Sequence, residues 1–184
     1  GLDSSSVKYE YNKNEDLVKK EYPDGDWEKY KYDKNGHLLK KEWKDGYWKK
    51  YEYDEKGNLI KEENSNGFWF KYEYDKNGNL IKEQWSNGSC IKYLYDEKGN
   101  LIRKEWKDGY WKKYEWDENR NLLKEEHSDG DWKKYEYDQK RNLLKVEWSY
   151  GEWIKYEHDE KGYLNYFRPQ KIHFKLGKEK NIKI

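Results

Sequence analysis

Trp43-Lys44-Asp45-Gly46-Tyr47-Trp48-Lys49-Lys50-Tyr51-Glu52-Tyr53-Asp54-Glu55-Lys56-Gly57-Asn58-Leu59-Ile60-Lys61-Glu62-Glu63-Asn64 is the stretch that decides the fold. Two turn signals punctuate it. Asp45-Gly46 favours a two-residue type I′ hairpin turn, because both residue types tolerate positive φ. Asp54 to Asn58 reads as a type I turn closed by Gly57 in the left-handed region, which introduces a bulge. Asp54 there accepts a backbone N–H as an Asx turn. Residues 47–53 and 59–64 read as the two strands between the turns.

The stretch is one copy of a repeat. Tyr stands at 9, 30, 51, 72, 93, 114, 135 and 156, always 21 residues apart and always after Lys. Leu follows at 17, 38, 59, 80, 101, 122, 143 and 164, and turn Gly at 25, 46, 67, 88, 109, 130 and 151. A fixed period of this length marks a repeat architecture in which neighbouring units bury one another. The expected fold is all-β: a tandem array of eight 21-residue antiparallel β-hairpins in one twisted or spiral sheet, with a capping C-terminal strand. Residues 1–7 read as a leader, 8–167 as the repeat domain and 168–184 as a cap or tail. Lys171 to Ile184 alternates basic and apolar residues and suits a final edge strand. The first copy carries Glu15 where most later copies carry Gly, and the last carries Asn165 where earlier copies carry an aliphatic residue, mostly Leu or Ile. Both departures fit modified terminal repeats.

Composition agrees with a folded array. Charged residues make up 42% of the 184-residue chain, yet 39 basic and 38 acidic side chains almost cancel. The 20 Tyr, 11 Trp and 4 Phe set it apart from disordered chains, which are poor in aromatics. No apolar run approaches a membrane span. The balanced charge gives no reason to expect a nucleic-acid partner. One cysteine, Cys90, excludes an internal disulfide. A leading Gly reads as a processing scar, with no signal peptide in the chain.

The turn reading predicts a register. A two-residue turn at Asp45-Gly46 makes paired residue numbers sum to 91, and the Asp54 turn makes them sum to 112. The difference equals the repeat, so the array would be in register throughout. Trp43, Trp48, Asn64 and Trp69 then fall in one row. That row holds ten Trp: Trp27, Trp43, Trp48, Trp69, Trp85, Trp106, Trp111, Trp132, Trp148 and Trp153. In the same register Tyr51 sits between Lys40 and Lys61, and Lys49 faces Glu42 and Glu63. A parallel solenoid would stack equivalent lysines such as Lys50 and Lys71 at the strand spacing. The hairpin array places a strand between them, so it is preferred.

Tyr-Asp-x-x-Gly-x-Leu recurs at Tyr32-Asp33…Gly36…Leu38, Tyr53-Asp54…Gly57…Leu59, Tyr74-Asp75…Gly78…Leu80 and Tyr95-Asp96…Gly99…Leu101. With the 21-residue period this resembles the YD-repeat, or rearrangement-hotspot, family. The resemblance implies a spiral sheet of hairpins in bacterial surface and toxin-associated proteins, and hence an extracellular or cell-surface location. Trp116 and His158 depart from the motif at Tyr, and Arg120 and Arg141 at Gly. Gly46-Tyr47-Trp48 is more loosely similar to the aromatic hairpins of choline-binding repeats.

Candidate sites are few. The ten-Trp row is the candidate ligand surface, a platform for carbohydrate or cell-wall glycan; mutual packing as structural rungs explains the same residues. Asp33, Asp54 and Asp75 suit turn capping better than calcium, which needs several oxygen ligands at once. Cys90 takes a Trp position and suits packing better than nucleophilic catalysis. His37, His127, His158 and His173 lack metal-ligand spacing. No catalytic residues, metal or cofactor are expected. The expected function is a non-catalytic spacer, scaffold or assembly unit. A glycan-binding module and a fibre subunit self-associating through its sheet edges are the alternatives.

Overall fold

The computed structural model of the chain describes residues 6–169. The leader before Ser6 and the expected capping strand after Pro169 lie outside the described residues. Each 21-residue copy contributes two strands. The first strands are β1 (Lys8–Tyr11), β3 (Trp27–Tyr32), β5 (Trp48–Tyr53), β7 (Trp69–Tyr74), β9 (Cys90–Tyr95), β11 (Trp111–Trp116), β13 (Trp132–Tyr137) and β15 (Trp153–His158). The second strands are β2 (Leu17–Glu21), β4 (Leu38–Trp43), β6 (Leu59–Asn64), β8 (Leu80–Trp85), β10 (Leu101–Trp106), β12 (Leu122–His127), β14 (Leu143–Trp148) and β16 (Leu164–Pro169). Strand order in the sheet follows chain order. The fold is the expected all-β hairpin array.

The chain divides into two units, residues 6–94 with Glu105–Gly109, and Tyr95–Lys104 with residues 110–169. In the first unit the register differs from the expected one. Glu42 stands opposite Trp48, Lys41 opposite Lys49 and Lys40 opposite Lys50, so the numbers sum to 90. The reason is the turn. Trp43 donates its N–H to the Tyr47 carbonyl at 2.9 Å, and Gly46 donates to the Trp43 carbonyl at 3.0 Å. Three residues, Lys44 to Gly46, therefore make the loop. Gly46 alone takes positive φ, 87°, whereas a type I′ turn would need it at Asp45 as well. The loop is a type I turn closed by a left-handed Gly. Asp45 supports it by accepting the Tyr47 N–H at 2.8 Å.

The second turn has the expected form. Gly57 has φ 85°, and the Asp54 carboxylate accepts the N–H of Lys56 and of Asn58 at 2.9 and 2.8 Å. Tyr53 pairs with Leu59 as expected, but Glu52 pairs with Lys61, so Ile60 is the extra residue of a bulge. Beyond it the numbers sum to 113. The two registers differ by two residues more than the repeat, so equivalent strands are staggered by two residues per copy.

The second unit repeats this pattern. Glu126 stands opposite Trp132 and Lys124 opposite Lys134, and the bulge recurs between Glu115 and Trp116. Among the described residues Val146 is the sole buried hydrophobic, 7% exposed, and the other aliphatic and aromatic side chains are half-buried or exposed. Stability therefore rests on cross-strand contacts, each about 0.2–1 kcal/mol, rather than on an enclosed core.

Candidate functional site

The one-residue change in register redistributes the candidate Trp residues. Side chains alternate between faces along a strand, and directly paired residues share a face. Trp48 pairs with Glu42, whereas Trp43 pairs with Glu28 and meets Tyr47. Trp43 and Trp48 thus point to opposite faces. The single ten-Trp row does not form; it separates into two sets.

One set, on what we term the front face, comprises Trp27, Trp48 and Trp69 in the first unit, with Cys90 at the next equivalent position. In the second unit Trp111, Trp132 and Trp153 stand at the same position. Each of these Trp carries a lysine ammonium over its ring from the residue two places on. Lys29, Lys50, Lys71, Lys113, Lys134 and Lys155 lie 4.3–5.3 Å from the ring centroids. Such contacts contribute about 0.5–1 kcal/mol at exposed sites. The expected separation of lysines is only half realised, because Lys50 stands directly opposite Lys40. The two ammonium groups go to different partners: Lys40 Nζ bonds Glu42 at 2.7 Å, while Lys50 lies 4.3 Å over Trp48. The same division recurs at Lys61, which pairs with Glu52 and Glu63, opposite Lys71 over Trp69.

The back face carries Trp43 and Trp85 in the first unit and Trp148 in the second, at the ends of second strands. It also holds the recurring Tyr and the more buried ion pairs. Tyr51 stands opposite Glu62, not between Lys40 and Lys61, and Lys49 reaches Glu62 at 2.8 Å, not Glu42 or Glu63. In the preceding copy the charges are exchanged. Glu28 accepts from Lys41 at 3.2 Å, from Trp43 Nε1 at 3.1 Å and from the Tyr30 hydroxyl. Burial and the Glu28 carboxylate both raise the Tyr30 hydroxyl pKa. In the second unit burial pushes Glu125 upward, but hydrogen bonds from His127 and Lys112 outweigh it and hold its pKa low.

The motif residues prove to be junction pieces. Tyr53 donates its hydroxyl to the Leu38 carbonyl at 3.1 Å, and Tyr74 to Leu59 at 3.0 Å, each reaching the previous copy. Trp116 takes the Tyr position and makes the same bond with its indole N–H to Leu101 at 2.7 Å. His158 takes it too, and its Nδ1 is buried without a partner. Arg120 and Arg141 occupy the left-handed Gly position with φ 65° and 70°, and Glu15 with 66°. The Asp series caps turns, and hydrogen bonds from the following Asn hold Asp54, Asp75, Asp96 and Asp138 below the usual carboxylate pKa. Among the described residues no group of three His, Cys, Asp or Glu is placed to hold a metal ion. No helix among them is long and apolar enough to cross a membrane.

Sequence reasoning missed a groove on the first unit. Trp85, Asn87, Ser89, Cys90, Ile91, Trp106, Lys107 and Asp108 line a shallow, open groove of about 670 Å³ at the turn end of the strands. A smaller groove of about 290 Å³ lies at equivalent residues, among them Tyr22, Asp26, Trp43 and Lys44. The signal was present in the sequence at one position. Residues 26, 47, 68, 89 and 110 are Asp, Tyr, Phe, Ser and Tyr, and Ser89 is the smallest.

No protein-family model matches the chain, and no curated protein sequence matches it. Solved structures share its fold. The TcdB2-TccC3-Cdc42 crystal structure superposes with a TM-score of 0.71 at 17% identity, over 84% of this chain and 10% of that one. TcdB2-TccC3 without its hypervariable C-terminal region gives 0.71 at 16% identity, over 89% and 10%. The Photorhabdus luminescens Tc holotoxin pore gives 0.65 at 18% identity, over 88% and 9%. The chain therefore spans about a tenth of the length of the proteins it resembles. At these identities the likeness is one of fold.

Proposed function

We propose that the chain is a non-catalytic structural repeat module of a bacterial surface or secreted protein, of the YD-repeat kind. The observation that carries this reading is how the motif is used. Tyr53 bonds the previous copy, Asp54 caps its own turn, and Gly57 supplies the positive φ. The groups that recur most faithfully in the sequence thus act within the array. The fold likeness to Tc toxin proteins supports a structural repeat module, and on our reading it serves within a larger assembly. Association with other chains would run through the sheet edge at β1, where all four residues are exposed.

Labelling tests the proposal. An antibody to the repeats should stain intact producing cells or detect the chain in their medium. Confinement to the cytoplasm would contradict it.

A further inference from the structure

We propose that Lys31, Lys40 and Lys50 form a binding site for a phosphate group on the front face of the first unit. The inference stands independently of the scaffold reading, because it rests on one departure from the repeat. Glu10, Lys19 and Lys29 stand directly opposite one another across β1, β2 and β3. Glu52, Lys61 and Lys71 do the same across β5, β6 and β7, and Glu73, Lys82 and Lys92 across β7, β8 and β9. In the second unit Glu115, Lys124 and Lys134 make the same row, as do Glu136, Lys145 and Lys155. Across β3, β4 and β5 the row is instead Lys31, Lys40 and Lys50.

The other copies show what the exchange removes. Glu10 lies 3.5 Å from Lys19 Nζ, Glu52 3.4 Å from Lys61 and Glu73 2.6 Å from Lys82. Lys31 takes that carboxylate away and puts a third ammonium in its place. Like charges directly opposite one another are unfavourable, so the row has charge to neutralise. Among the described residues no carboxylate pairs with Lys31. Lys40 keeps Glu42 at 2.7 Å, and Lys50 lies 4.3 Å over the Trp48 ring. Lys29, on the same face, also stands opposite Glu42. Glu63 faces Lys50 from β6, but Lys61 engages it. The row therefore carries more positive charge than its own carboxylates offset.

Geometry and charge select the ligand class. Adjacent strands lie roughly 4.8 Å apart, so the three lysines span roughly 9.6 Å of sheet. Their flexible four-carbon stems can bring all three ammonium groups onto one group above Lys40. A phosphate group supplies several acceptor oxygens and a charge of about −2. A carboxylate supplies a single charge, and Glu42 already provides one. Lysine is a usual point-charge partner of phosphate. Lys31 and Lys50 are exposed, so the phosphate can be free or carried on a larger molecule.

The experiment titrates the full chain with inorganic phosphate at low ionic strength, following the backbone amide signals of residues 31, 40 and 50 by NMR. The wild type should bind saturably, with Kd on the order of 1 mM. Added salt should weaken the binding, because exposed charges are screened. Lys31→Glu restores the usual row and should weaken binding by about tenfold or more without lowering the melting temperature. Lys76→Glu makes the same change of charge at an exposed turn, copies residue 55 and should bind as the wild type does. Glu52→Lys should create a second saturable site with Lys61 and Lys71. Vesicles containing phosphatidic acid separate the sources: flotation of the chain with them, lost in Lys31→Glu, assigns a lipid headgroup, and binding of phosphate without flotation assigns a soluble ligand. No saturation up to about 50 mM phosphate would overturn the proposal. Equal losses in Lys31→Glu and Lys76→Glu, or no second site in Glu52→Lys, would overturn it as well.

Discussion

Among the described residues three non-Gly residues, Glu15, Arg120 and Arg141, are held at positive φ in turns where most copies use Gly, and one of them offers a clean test. The left-handed conformation costs an L-residue roughly 1–2 kcal/mol, partly offset by the greater unfolded-state freedom of Gly. Arg141→Gly should therefore stabilise the chain by about 0.5–1 kcal/mol, measured by urea unfolding. Arg120 shows the effect less cleanly, because its Nη2 also donates to the Lys98 carbonyl at 3.1 Å. Trp116 tests the junction bond. Trp116→Phe removes the donor to Leu101 and should cost about 1 kcal/mol, whereas Trp116→Tyr restores the usual hydroxyl and should be close to neutral. Equal losses in the two variants would show that the ring, not the hydrogen bond, holds the junction.

Among the elements, the turns decide the arrangement of the faces. Deleting Glu42 keeps the Lys44–Gly46 loop and its Trp43–Tyr47 pair but brings Lys41 opposite Trp48, so the rest of β4 turns to the opposite face. The deletion should lower the melting temperature by more than 10 °C, about 2 kcal/mol or more for a chain of this size. An unchanged melt would mean that the register is not fixed by the loop. This is also where the sequence was least legible. Strand positions, the period and the Asp54 turn could all be read, because Leu, Tyr, Asp and Gly recur at fixed spacing. Asp-Gly is ambiguous, because it suits a two-residue type I′ loop and also the last two places of a three-residue loop. Choosing wrongly by one residue moved the second-strand Trp, such as Trp43 and Trp85, to the other face. A bulge was legible at the Asp54 turn, but not that Ile60 would be its extra residue and shift the register, since Leu59 and Ile60 are both apolar. The groove could have been found only by asking what Ser89 replaces.

At the scale of the whole molecule, acid should act through the turns. Asn amide hydrogen bonds hold Asp54, Asp75, Asp96 and Asp138 below the ordinary value of 3.8, and the His37 ring does so for Asp33. A carboxyl with a depressed folded pKa contributes stability that is present above its unfolded pKa. That stability is lost as pH falls through the folded value. Melting temperature should therefore stay level from pH 7 to about 5 and fall progressively below the ordinary 3.8. A level profile down to pH 2 would show that the caps do not hold the array. The repetition gives a small effect per turn a large summed one, and it does the same for register, which every later strand inherits.

Register is therefore the quantity to measure first, and the native Cys90 makes it accessible. Gln84 stands opposite Cys90, whereas a two-residue turn at Asn87-Gly88 would place Trp85 there. Oxidised under dilute conditions, Gln84→Cys should close an intramolecular disulfide with Cys90, because directly opposed side chains lie within bonding reach. Trp85→Cys should stay reduced. Closure in Trp85→Cys and not in Gln84→Cys would restore the single Trp row and contradict the two-faced sheet.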